Sequence, residues 1–138
     1  MLTHYASNKV LDLIAGRANS VQLGSTSLFV GLSTTTPVAA GTNVTEPSGN
    51  GYARVLIGAY GQTATYKVGT AASGASTNTD IIFFPEATGA WGSCTYFLIY
   101  DAVSGGNLIA FGALTAPISP VSGDVPIVRV GDLDITLA

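Results

Sequence analysis

The stretch LFVGLSTTTPVAAGTNVTEPSGNGYAR, residues 28–54, decides how this chain is read. Residues 28–32 are apolar and of strand length, and Gly31 inside them marks a bulge or a close approach of backbone. Residues 33–50 then hold Pro37, Gly41, Pro47 and Gly49, turn formers among which no regular element persists. Strand patterning resumes over residues 52–59, where Tyr52, Arg54, Leu56 and Gly58 alternate with Ala53, Val55, Ile57 and Ala59. A strand, a long polar loop and a second strand result. Loops of that length in a compact domain are either functional or disordered, so the remainder of the chain bears on what this one serves.

Toward the N-terminus, residues 3–16 carry the one helical pattern. Ala6, Val10, Leu13 and Ile14 fall on one stripe, with Lys9 and Asp12 off it, Thr3 placed to cap the start and Gly16 to end it. Such a helix packs on a sheet edge or docks on a partner. Residues 17–26 form a connector rich in Asn, Ser and Gly. Toward the C-terminus, GTAASGASTNT at residues 69–79 reads as a flexible low-complexity loop. A strand over 80–84 stops at Pro85, and residues 85–94 make a turn around the only tryptophan, Trp91. Residues 95–100 and 107–114 form a hairpin, with Gly105 and Gly106 supplying positive φ in the turn. Pro117 and Pro120 mark a linker, and strands over 125–130 and 133–137 follow. In the last, Leu133, Ile135 and Leu137 alternate with Asp132, Asp134 and Thr136, the pattern of a half-buried strand. Seven or so short strands between turn signals, with one helix, predict an all-β, single-domain β-sandwich, jelly-roll-like, over residues 1–138.

A chain of 138 residues fits one domain with one core. Only 9% of it is charged, against about 25% in typical soluble domains. No apolar run approaches the roughly 20 residues of a membrane span, so no membrane is expected as a partner. A surface so poor in charge guards weakly against self-association through segments such as IIFF at 81–84 and YFLIY at 96–100. It suits a protein whose surface is covered by partners. Five basic residues (Lys9, Arg17, Arg54, Lys67 and Arg129) are scattered in a chain of net charge −3, an arrangement that argues against nucleic acid. The single cysteine, Cys94, gives no disulfide framework and fits a chain made in a reducing cytosol. No signal-like apolar core follows Met1, so the sequon at Asn43-Val44-Thr45 is read as chance.

Chemistry is nearly absent. His4 is the only histidine and sits at the chain end, remote from any Ser or Cys nucleophile motif. Cys94 follows Trp91-Gly92-Ser93 into a strand and reads as a buried small hydrophobe. No nucleophile elbow, phosphate loop or dinucleotide fingerprint is present. Asp124, Asp132 and Asp134 are the one set that could gather around calcium, and a solvated strand face explains them better. Tyr52, Tyr60, Tyr66, Trp91, Tyr96 and Tyr100 could line a sugar-binding surface, although strands carry such residues in their cores. The residues therefore predict no enzyme, no cofactor and no metal.

Five motifs lie in order along the chain: GLSTTTP at 31–37, GTNVTEPSGNGYARV at 41–55, FPEATGAWG at 84–92, DAVSGGNLIAFGAL at 101–114 and GDLDITL at 131–137. Together they resemble a family of small virion proteins of tailed phages and prophages, described as capsid decoration (cement) proteins or as tail-fibre-like. The resemblance covers most of the chain. Tyr96 departs from it, standing where the family pattern leads one to expect His, which removes one polar contact. A cement protein of this kind implies a β-sandwich on the outer capsid surface, made in the host bacterial cytoplasm. It would bind the major capsid protein and itself, as a homodimer or homotrimer, and stabilise the head. The alternative is a tail-fibre or baseplate-associated receptor-binding module. On the first reading the loop supplies the contacts: Thr36, Pro37, Asn43, Thr45, Glu46, Pro47, Tyr52 and Arg54.

Overall fold

In a computed structural model of the chain, residues 1–17, 27–59 and 67–136 are described. Most of the 17–26 connector, Tyr60, Tyr66 and Leu137 lie outside them. The fold is all-β with one short N-terminal helix and antiparallel sheets, as the sequence predicts. Its largest sheet has the order β2-β1-β5-β6, from β1 (Ser27–Ser33), β2 (Val55–Ala59), β5 (Cys94–Tyr100) and β6 (Leu108–Ile118). β1 and β5 are short apolar and β-branched runs, each ending in four consecutive buried residues, which suits them to the two central places. Their register sets Val30 against Ile99 and Leu32 against Phe97. The β5–β6 hairpin closes through Gly105 (φ 62°) and Gly106 (φ 74°), while the Asp101 carboxylate accepts from the Asn107 backbone N–H at 2.6 Å. Gly31 makes the close approach; the bulge lies elsewhere, between Leu28 and Phe29.

Two small ribbons lie on one face of this sheet. β4 (Ile82–Phe83) pairs with β7 (Ile127–Val128), and β3 (Ala75–Thr77) pairs with β8 (Asp134–Thr136). Val30, Leu32, Ile57, Phe97 and Ile99 of the sheet share one core with Ile82, Phe84, Val128 and Leu133 of the ribbons and their flanks. That packing gives the two layers of a sandwich. The ribbon strands are shorter than predicted. Pro126, for example, has no N–H to continue a ladder, and only its carbonyl is used, accepting from Phe84 N at 2.9 Å.

Residues 69–79, expected to be a flexible loop, instead contain β3. The reason is Asn78, fully buried in a tract that reads as polar filler. Its amide donates to the carbonyls of Asp80 (2.9 Å) and Arg129 (2.8 Å), and its side-chain oxygen accepts from Gly131 N (3.1 Å) and Leu133 N (3.0 Å). Every polar capacity of that side chain is used. It ties the end of β3 to the turn before β8.

Helix α1 (His4–Ile14) is capped as predicted, Thr3 accepting from Ala6 N, and Gly16 ends it at φ 70°. Residues 1–3 run beside β6, with Thr3 N donating to Ile109 O at 3.0 Å and Phe111 N to Met1 O at 2.9 Å. The expected inward stripe is only partly used. Ala6 is buried, but Leu13 and Ile14 are 57% and 76% exposed. Among the described strands, β6 is the one that α1 contacts, so its apolar stripe runs on past the surface that covers its first turn.

Candidate functional site

The loop between β1 and β2 is fixed to the opposite face of the sheet. There Leu98, Tyr100, Leu108 and Phe111 form a second apolar cluster, and Val44 of the loop and Tyr96 pack on it. Three sets of bonds hold the loop in place. The first is a hydroxyl network at its start. Thr34 N donates to Thr45 O (3.0 Å), Thr45 N to Ser33 Oγ (3.1 Å) and Thr35 Oγ1 to Asn43 O (2.8 Å). Asn43, at φ 58°, returns its amide to Thr36 O at 2.7 Å. Asn tolerates this left-handed conformation better than most side chains.

The second set is an ion-pair cluster. Arg54, with its side chain 8% exposed, sends Nη2 to Glu46 Oε2 at 2.6 Å and Nε to Oε1 at 3.0 Å. Its Nη1 donates to the carbonyls of Ala102 (2.9 Å) and Gly105 (2.7 Å), which bolts the β5–β6 turn to the loop. The guanidinium also lies 3.4 Å over the Tyr100 ring, a stacked geometry that Lys cannot reproduce. Tyr52 donates to Glu46 Oε1 at 2.6 Å and accepts from Leu32 N at 2.9 Å. Burial, reinforced by the Glu46 hydrogen bond, raises the Tyr52 hydroxyl well above its ordinary pKa. Burial works against the Arg54 charge, yet Glu46 outweighs it and the guanidinium is held above its usual value. Tyr100 is raised by burial and then by the nearby Glu46 carboxylate. Gly31 makes this cluster possible, since a Cβ there would fall 2.7 Å from Glu46 Oε1 and 2.8 Å from the Tyr52 hydroxyl.

The third set ends the loop. Asn50 (φ 51°) gives its amide to Ala90 O at 3.0 Å, and its carbonyl receives both Thr88 N (2.9 Å) and the Trp91 indole N–H (2.8 Å). Trp91 meets Tyr52 edge-on at 5.2 Å and Phe84 at 6.2 Å. Tyr52 and Trp91 are therefore parts of the packing, which removes both from any sugar-binding surface.

Of the eight residues expected to meet a partner, Pro37 and Pro47 are buried, while Glu46, Tyr52 and Arg54 are committed to the ion-pair cluster. Thr36, Asn43 and Thr45 stand exposed at the loop surface. The internal roles of Glu46, Tyr52 and Arg54 were signalled only by their scarcity, a carboxylate and a cation eight residues apart in a chain with few charges. Asn50 and Asn78 carry no sequence signal that separates them from other turn asparagines.

The remaining chemistry is sparse. A surface groove of about 370 Å³ lies between residues 114–118 and 127–130, with aliphatic walls and Asp132 at its side. Among the described residues, no three His, Cys, Asp or Glu side chains converge as metal ligands. Asp124 caps its own turn through Val121 N, and Asp132 bonds Thr115. Cys94 is buried, and burial pushes its thiol up to about 11. Among the described residues no helix is long and apolar enough to cross a membrane.

Residues 1–136 match a family model described as podophage GP4 fiber I protein gp80. No curated protein matches the chain.

Proposed function

Because the chain belongs to the podophage GP4 fiber I protein gp80 family, and is thus a structural protein of the phage virion, we propose that it serves in the fibres of the particle. The match runs along nearly the whole chain, and that single observation carries the reading. The structure supports it with a loop held rigid from below by Arg54, Glu46 and Tyr52. The loop presents Thr36, Asn43 and Thr45 outward as a surface of hydroxyls, an amide and main chain. A preformed surface loses little entropy on docking, and repetition in an assembly multiplies weak contacts. On this reading the chain works by binding alone and catalyses nothing.

Immunogold labelling of intact particles with antibody to the folded chain tests the proposal. Label confined to the fibres is expected, and label spread over the head would overturn it. Label over the head is what the second reading requires, that of a decoration protein on the major capsid lattice. What favours that reading is the low charge, 9% of residues, on a chain that resembles cement proteins through residues 31–55. In both settings the natural partners are another virion protein and further copies of this chain.

A further inference from the structure

Among the described residues, two apolar surfaces lie uncovered, and they are unlike one another. On α1, Val10, Leu11, Leu13 and Ile14 share one wide face; Leu11 is 61% exposed and Ile14 76%. This face continues beyond Ala6, the buried residue of the helix. At 1.5 Å per residue, Ile14 stands about 12 Å farther along the helix than Ala6. The second surface is the outer side of the β4–β7 ribbon. Ile82, Phe84 and Val128 point into the core, so strand alternation turns Ile81, Phe83, Val125 and Ile127 outward. Phe83 is 58% exposed and Val125 50%.

Charge distinguishes the two surfaces as well. In residues 4–17, Lys9 and Arg17 against Asp12 leave a net +1. In residues 80–86 and 124–130, Asp80, Glu86 and Asp124 against Arg129 leave a net −2, and all three of these acids are exposed. One surface is a weakly basic apolar helix, and the other is an apolar ribbon rimmed by acids. They cannot meet within one chain. α1 is held at β6 by residues 1–3 and by Thr3, whose hydroxyl donates to Leu108 O at 2.6 Å, while the ribbon's outer side faces away from the main sheet.

We infer that the overhanging half of α1 docks on the outer face of the β4–β7 ribbon of a second copy of this chain. Helix-to-ribbon contact is heterologous: each copy offers one of each surface, so copies join head to tail into an open filament or a closed ring. The net +1 of the helix segment and the net −2 of the ribbon segments attract, which orients the pair and makes association weaken as salt rises. The contact holds independently of where the virion places the chain. Particle labelling tests the location and association of the pure protein tests the contact, so either can fail alone.

The test mixes two variants of the full chain. Ile14→Glu spoils the helix and keeps the ribbon; Phe83→Glu spoils the ribbon and keeps the helix. By sedimentation or native mass spectrometry at high micromolar concentration, the wild type is expected to form species larger than dimers. Each variant alone should be monomeric. Their equimolar mixture should give dimers and nothing larger, because one intact contact remains and it cannot propagate. A monomeric wild type, a wild type that stops at dimers, a variant that still assembles or a mixture that stays monomeric would each overturn the inference. Both side chains are solvent-exposed; if circular dichroism shows either variant unfolded, Leu11→Asn and Val125→Asp take their places in the same mixing experiment.

Discussion

Gly31 shows how a single missing side chain can decide what a loop does. Glu46 and the Tyr52 hydroxyl occupy the space over its Cα, and that closeness lets Tyr52 reach Leu32 N on the strand itself. Gly31→Ala should therefore displace the cluster and cost about 1–3 kcal/mol in urea unfolding; an unchanged midpoint would mean that the cluster does not depend on the approach. Glu46→Ala removes the counter-charge from an Arg54 side chain that is 8% exposed, and leaving such a cation unpaired costs about 3 kcal/mol. Arg54→Met made together with Glu46→Ala should recover part of that loss, a coupling that a double-mutant cycle reads directly. Cys94 gives a pH dependence. Its thiol pKa rises from 9.0 unfolded to about 11 folded through burial. The folded chain thus keeps a proton that the unfolded chain releases. Its contribution is intact below pH 9 and is lost as pH rises toward 11. The urea midpoint should fall across that window, and Cys94→Ala should flatten the fall.

At the scale of elements, what was legible followed apolar content. β1, β5 and β6 announce themselves as runs of apolar and β-branched residues with turn formers between them, and the helix start is written in Thr3. Of the ribbon strands, β4, β7 and β8 lie inside longer predicted strands, and β3 alone was missed. β3, three residues inside GTAASGASTNT, is held by what Asn78 bonds to from a distance, and local composition carries none of that. The helix period shows where the apolar face lies on α1 but not how far β6 extends beneath it. The loop was legible as a loop and not as a support. Thr35, Thr45 and Asn43 can bond to water or to their own backbone equally well, and nothing local reveals that here they bond to one another across the loop. Sequence reading alone expects residues 36–48 to be removable. The structure places Val44 on the Tyr100 cluster and Glu46 on Arg54, so excision uncovers apolar surface and strands a cation. Deletion of 36–48 should abolish the cooperative thermal transition seen by circular dichroism; a deletion variant that melts cooperatively would restore the loop to a purely peripheral role.

For the whole molecule, few charges and many hydroxyls leave little to hold a free monomer apart from its neighbours. The same features suit a virion component, which spends its working life against other proteins. The sheet, the ribbons and the locked loop pack on one another, and among the described residues no metal-binding cluster forms. The molecule's fitness for assembly rests on what it presents outward. Family membership sets the chain in the virion, and the structure supplies a preformed loop surface and two unlike apolar faces for use there. The most direct measurement is the copy number of this chain relative to the major capsid protein, by quantitative mass spectrometry of purified particles. A fibre component should be present as a small fraction of the capsid protein, at a multiple set by the fibres. Parity with the capsid protein, or absence from purified particles, would contradict the account.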